Sequence, residues 1–299
     1  MRRRTFLKAS SAGALTLFGG SLYNAWASQT RPNIVWIIAE DISCHFGYQG
    51  EPLVKTPNVD RLAREGVVFD AVYVTCPVCS PSRSALITGM YQTTIGAHNH
   101  RSFRGTIKHD LPTPVRPIPE YFKDAGYYVC NGADSEAKNQ GKTDYNFNYP
   151  EDLYNGTDYS GAAPGQPFFM QFQLRGGKFR SASVEHPVSP HKVVLPPYYP
   201  GDAVMREDWA QYLNSVMYVD KEVGKILSRL EADGHLRNTV VFFTTDHGIS
   251  HIRGKQFLYE EGTHVPLIVW APGRISGGNI RREWVAHIDI AATRCILRG

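Results

Sequence analysis

The sequence predicts an α/β protein, a three-layer sandwich around a mostly parallel central sheet. Three observations carry that reading. Several short runs, residues 33–39 (Asn-Ile-Val-Trp-Ile-Ile-Ala) foremost, are apolar and rich in β-branched residues, as strands buried on both faces are. Between such runs lie segments with helical spacing. Acidic residues follow two of the runs directly, at the strand ends where open parallel sheets build their sites.

Taken in order, residues 33–39 predict the first strand, 58–65 a helix stopped by Gly66, and 67–74 the next strand. Further strands are expected at 127–130, 168–174, 240–244 and 265–270. Tyr212, Val216, Val219, Val223, Ile226 and Leu230 recur at spacings of three and four, which marks one face of a long helix. Gly234 is placed to cap it. Residues 132–166 are rich in Gly, Asn, Asp and Tyr and read as a long loop; 97–117 and 175–202 are similarly irregular. Loops of this kind carry the chemistry of α/β proteins.

The 299 residues are 42% hydrophobic and 20% charged, ordinary globular material of one large or two small domains. A formal charge of +4 invites a nucleic-acid partner, but four of the 32 bases (Arg2, Arg3, Arg4, Lys8) lie before residue 28. The remaining 28 bases balance 28 acids, which leaves no basic excess for nucleic acid.

Residues 1–27 read as a twin-arginine export signal: Arg3-Arg4-Thr5-Phe6-Leu7-Lys8, a mild apolar stretch, then Ala25-Trp26-Ala27 as a cleavage site. The stretch is too short and too rich in Gly and Ser to span a bilayer, and no other segment could. A periplasmic or extracellular protein is expected, with the twin-arginine machinery as a partner. Five cysteines (Cys44, Cys76, Cys79, Cys130, Cys295) are few and irregularly spaced, so no disulfide scaffold is expected.

Glu40-Asp41 follows the first strand, and Asp246-His247-Gly248 follows the strand at 240–244. Adjacent carboxylates repel unless a cation sits between them. Three carboxylates and a neutral donor from two strand ends suit a hard divalent cation such as calcium.

Between these motifs lies Cys79-Ser80-Pro81-Ser82-Arg83-Ser84-Ala85-Leu86-Ile87-Thr88-Gly89. This string resembles the signature of the type I sulfatases, in the alkaline-phosphatase-like superfamily, whose cysteine is oxidised after translation to formylglycine. Residues 31–41, 56–74, 239–248 and 254–270 are also family-like, so the resemblance covers nearly the whole chain after the signal. It implies that Glu40, Asp41, Asp246 and His247 bind one calcium together with the formylglycine made from Cys79, by a separate maturation enzyme. Glu40 stands where the family usually has Asp, and His247 where it often has Asn.

The chemistry implied is sulfate-ester hydrolysis by a hydrated aldehyde. One hydroxyl attacks sulfur, and loss of the second hydroxyl's proton releases sulfate from the covalent intermediate. Arg83, one turn after Cys79, can return to the aldehyde and the metal carboxylates as a fixed cation, and a helix starting near Ser80 would aim N–H groups at the anion. The resemblance places Lys142 and Lys255 against the sulfate. Asp144 and Lys178 replace two histidines usual in the family. His98, His100 and His264 are the remaining candidates for leaving-group or substrate contacts.

Residues 285–292 resemble a family segment that normally leads into a longer helix and a smaller C-terminal domain. Arg294, Cys295 and Arg298 break the apolar face expected there. The expectation is a large catalytic domain over 31–299, truncated at its C-terminus, acting on a sulfated carbohydrate or another sulfate ester. The alternatives are a phosphodiesterase or phosphonate hydrolase of the same superfamily, or an inactive fragment that only binds anionic glycans.

Overall fold

The computed structural model describes residues 31–101 and 109–292. The expected export signal at 1–27 and the segment 293–299 lie outside them. Nine strands are described: β1 Asn33–Ala39, β2 Val67–Phe69, β3 Val72–Tyr73, β4 Tyr128–Ala133, β5 Phe168–Leu174, β6 Thr239–Thr245, β7 Leu267–Trp270, β8 Asn279–Arg281 and β9 Val285–Ala286. The helices are α1 Pro57–Glu65, α2 Cys79–Thr88, α3 Ile118–Asp124, α4 Ala203–Ala232 and the short α5 Glu260–Thr263.

Seven strands form one sheet in the order β4-β5-β1-β6-β7-β2-β8, and β3 pairs with β9 separately. β4, β5, β1 and β6 are mutually parallel, and only β7 runs against its neighbours. β1 is buried throughout because its alternating side chains enter two separate cores. Val35, Ile37 and Ala39 join α1 and α4 through Leu62, Val216 and Val223. Ile34, Trp36 and Ile38 face the other way, with Leu86 of α2 and Phe122 of α3. That is the three-layer sandwich.

The expected strand at 67–74 is two strands in two sheets. Polar Asp70 interrupts the apolar run, and the chain bends there before Val72 and Tyr73 pair with β9. The long helix ends as its sequence requires. Gly234 takes a left-handed φ of 73°, and the N–H groups of Gly234 and His235 donate to the carbonyls of Glu231 and Leu230 at 3.0 and 2.9 Å, a closure that favours glycine. No described helix is long and apolar enough to cross a membrane.

Register places the site. Ala39 lies beside Leu174 of β5 and Thr245 of β6, so the residues after three parallel strands emerge together at one rim.

Candidate active site

Cys79 is the first residue of α2, and every residue from Cys79 to Ile87 is buried. Pro81 fits the first turn, where backbone N–H groups have no partner within the helix. Arg83 is one turn further on the same face. Its Nε donates to Asp246 Oδ2 at 2.9 Å and its Nη1 to Gln173 Oε1 at 2.7 Å and the Lys142 carbonyl at 3.3 Å. Burial opposes its charge, but Asp246 and Glu40 hold the guanidinium protonated above its ordinary range. Its Nη2 is buried with no hydrogen-bond partner among the described residues, 3.7 Å from Glu40 Oε1.

The Glu40-Asp41 turn is fixed by close backbone approach. Gly177 N–H donates to the Glu40 carbonyl at 2.7 Å. A Cβ on Gly176 would stand 2.0 Å from the Glu40 carbonyl oxygen, and one on Gly177 2.0 Å from that of Asp41, so only glycines admit this packing. Asp41 sits at φ 55°, a left-handed conformation that Asp tolerates, and its N–H donates to Asp246 Oδ1 at 3.0 Å.

Four side chains from the segments after β1, β5 and β6 converge on Cys79 Sγ: Lys255 Nζ at 2.8 Å, His247 Nε2 at 3.4 Å, Lys178 Nζ at 3.8 Å and Asp41 Oδ1 at 3.9 Å. Both lysines also pair with Asp41 Oδ2, Lys178 at 3.1 Å and Lys255 at 3.2 Å. Burial is the largest single influence on the Cys79 thiol and pushes it up, but the lowering influences together, led by the hydrogen bond and the charge of His247, leave it below its ordinary value. Burial likewise opposes ionisation of Asp41 and Asp246; His247, with Lys255 at Asp41 and Arg83 at Asp246, holds both well below the usual carboxylate range. His247 is raised by those carboxylates against its burial.

Donor atoms of Asp41, Cys79, Asp246 and His247 all lie within 4.8 Å of one another, and all four residues are buried. His247 Nδ1 lies 2.8 Å from the Gly248 carbonyl, where only a protonated nitrogen can bond. That turns Nε2 toward Asp41 Oδ1 at 3.1 Å, so two acceptors face each other unless a proton or a metal ion lies between them. The donor set fits a divalent cation. Glu40 stands outside this cluster: its longer arm pairs with Lys142 at 3.1 Å and approaches Arg83.

The remaining candidates divide. Lys142 also lies 3.7 Å from Asp144, which pairs with Arg101 at 3.3 Å. His100 Nδ1 lies 3.2 Å from Ser80 Oγ; burial, with Arg101, Lys255 and Lys178 nearby, lowers its pKa. His98 is exposed, with no hydrogen bond or ion pair to the described residues. His264 is stacked on Tyr73 at 4.9 Å and bonded to the Asp70 carbonyl at 2.7 Å, outside the Cys79 cluster. The sequence reading missed Gln173, which holds Arg83, and Ser82, whose Oγ donates to the Asp246 carbonyl at 2.5 Å. For Gln173 the available signal was a pair of glutamines, Gln171 and Gln173, inside a buried and otherwise apolar strand.

The comparisons with known proteins point to one family. The chain is 31% identical to an ulvan-active sulfatase of Formosa agariphila over 90% of this chain and 52% of that protein. It is 28% identical to the N-acetylgalactosamine-6-sulfatase of Mus musculus over 90% and 62%. It thus spans between half and two thirds of the length of these curated relatives. A solved structure of a protein in complex with its substrate D-glucosamine-2-N,6-O-disulfate superposes with a TM-score of 0.65 at 19% identity, over 90% of this chain and 77% of that one. The family model described as Sulfatase matches residues 32–297, a span that holds every side chain gathered around Cys79, and the chain belongs to the sulfatase family.

Proposed function

We propose that this protein hydrolyses sulfate esters of a carbohydrate, with Cys79 converted to formylglycine. One observation carries the reading: a cysteine at the start of a buried helix is approached by two lysines, a histidine and a carboxylate, with a second carboxylate held by Arg83. Cations beside a cation-binding donor set suit an oxyanion attached to a small nucleophile. The relatives named for ulvan and N-acetylgalactosamine 6-sulfate support a sulfated polysaccharide as substrate.

Asp41, Asp246, His247 and the converted side chain would hold the divalent cation, calcium by the balance of oxygen donors. When bound, the cation neutralises sulfate oxygen charge and lowers the pKa of the attacking hydroxyl, while the converted side chain supplies the nucleophile. The protein's own groups do the rest. Lys178 and Lys255 flank the nucleophile and take sulfate oxygens. Arg83 fixes Asp246, and its buried Nη2, paired with Glu40 at 3.7 Å, has no hydrogen bond among the described residues and keeps a donor for a substrate oxygen. His100, bonded through Nδ1 to Ser80, the residue after Cys79, would hand a proton to the leaving oxygen. The reading requires a maturation enzyme acting before the chain folds around Cys79, and export by the twin-arginine route would impose the same order.

Mass spectrometry of the Cys79 peptide from a host that matures sulfatases tests this directly. Formylglycine is lighter than cysteine by the sulfur-for-oxygen difference and two hydrogens; unconverted cysteine alone sinks the mechanism. Faster turnover of 4-nitrophenyl phosphate than of 4-nitrophenyl sulfate would favour the phosphoester alternative.

A further inference from the structure

We propose that Asp208 is a positioning residue, a brace that holds the two loops delivering Lys178 and Lys255 to Cys79. The proposal rests on the sulfatase reading for its kinetic consequence, but not for its structural one. Asp208 projects from α4 and touches none of the reacting groups. Its Oδ1 accepts from Arg180 Nε at 2.8 Å and its Oδ2 from Arg180 Nη2 at 3.4 Å. The same Oδ2 lies 2.5 Å from His251 Nε2. Arg180 is two residues beyond Lys178, and His251 is midway between His247 and Lys255. One carboxylate therefore ties the chain after β5 to the chain after β6.

Each tie is transmitted by tight backbone turns. Arg180 N–H donates to the Lys178 carbonyl at 2.9 Å, and Phe179 N–H to that of Gly176 at 2.7 Å. Across the brace, Gly254 N–H donates to the His251 carbonyl at 3.0 Å, and Lys255 N–H to that of Ile249 at 2.7 Å. The His251 ring is nearly buried, packed against Trp209 at 5.2 Å and Tyr212 at 5.8 Å. Arg180 lies over Tyr212 at 5.5 Å.

The site needs such a brace. Two ammonium groups share one carboxylate oxygen, Asp41 Oδ2, and repel each other across it. The Lys178 side chain keeps 45% of its surface exposed, so side-chain packing does not hold it; the position of its backbone does. Without Asp208 the shortest relief is for that loop to move outward and take Lys178 with it.

Hydrogen–deuterium exchange on the full chain, wild type against D208A, tests the brace whether or not the protein is active. Faster exchange is expected in both 176–180 and 249–255, with β1 and β6 unchanged. D208N, the same shape without the charge, serves if D208A does not fold. In turnover of 4-nitrophenyl sulfate, D208A is expected to lower kcat/KM by about tenfold or more, mostly in kcat, and D208E to recover part of the loss. The loss should be smaller when Lys178→Ala is already present, because the part of it that runs through Lys178 is then gone while the part through Lys255 remains. Unchanged exchange in either loop, or a kinetic effect that adds in full to Lys178→Ala, overturns the proposal. A wild type that turns over no sulfate ester counts against the sulfatase reading instead, and the exchange result then decides Asp208 alone.

Discussion

Arg83 Nε donates to Asp246 Oδ2 at 2.9 Å with both side chains buried, and this bond fastens the helix that begins at Cys79 to the end of β6. Removing one partner of a buried pair leaves the other charge uncompensated, at a cost of about 3–5 kcal/mol. R83A is therefore expected to lower the thermal midpoint sharply as well as abolish turnover. R83K keeps the charge but loses the fork that also holds Gln173. It should melt closer to wild type and still lose most of its activity, measured by calorimetry and by rates on 4-nitrophenyl sulfate.

Metal removal should be felt in stability as well as in rate. Asp41 and Asp246 are both buried and share His247, whose Nε2 lies 3.1 Å from one and 3.7 Å from the other. A cation that binds only the folded chain adds about 2.7 kcal/mol at a hundred times its dissociation constant. Chelation is expected to lower the melting temperature, and calcium to restore it. In D246N titration calorimetry should detect no cation binding; binding as tight as in wild type would remove Asp246 from the ligand set.

Asp220 of α4 caps α1 from outside. It accepts from the N–H groups of Asn58 and Val59 at 2.9 and 2.8 Å, where Thr56 makes no side-chain cap of its own. Burial raises its carboxyl from 3.8 to about 6 against those hydrogen bonds. A raised carboxyl holds its proton more tightly in the folded state. Its contribution to stability is thus fully present below the unfolded value and lost as pH rises through about 6. D220N should flatten the stability profile across that window. D220A should cost about 1–3 kcal/mol by orphaning buried donors, read from denaturant melts at several pH values.

Gly177→Ala places a methyl group against the Asp41 carbonyl. Either the turn carrying Asp41 shifts or the loop carrying Lys178 backs away. The expected cost is about 1–3 kcal/mol with a larger loss of turnover. G234A, remote from the site, should cost stability without touching kcat.

Much of this could be read from the sequence where side-chain pattern decides structure. The run at 33–39 and that at 168–174 are strands over the residues expected, because burial on both faces leaves a continuous apolar signature. Cys79, Arg83, Lys178, Lys255, Asp41, Asp246 and His247 do meet. What the pattern did not show were relations between segments: the reversal of β7, the split after Phe69, the turning of Glu40 toward Lys142, and the Asp208 link between two loops. Each depends on contacts made across long sequence separations. No periodicity within a single segment encodes those. Gly176-Gly177 read as loop composition, whereas the structure makes the pair a point of contact with the backbone of Glu40 and Asp41.

β7 runs against β6, so the chain leaves the sheet after Thr245 and re-enters it at Leu267 from the same end. Asp246, His247, His251 and Lys255 are thus carried on a handle with both feet set in one rim. A single proteolytic nick in that handle would leave each stump gripped by its own strand. A cut beyond Lys255 would leave that lysine on the stump anchored in β6, where its own N–H still bonds the Ile249 carbonyl, so the strand that supplies Asp246 would also keep its hold on the lysine cation at Cys79.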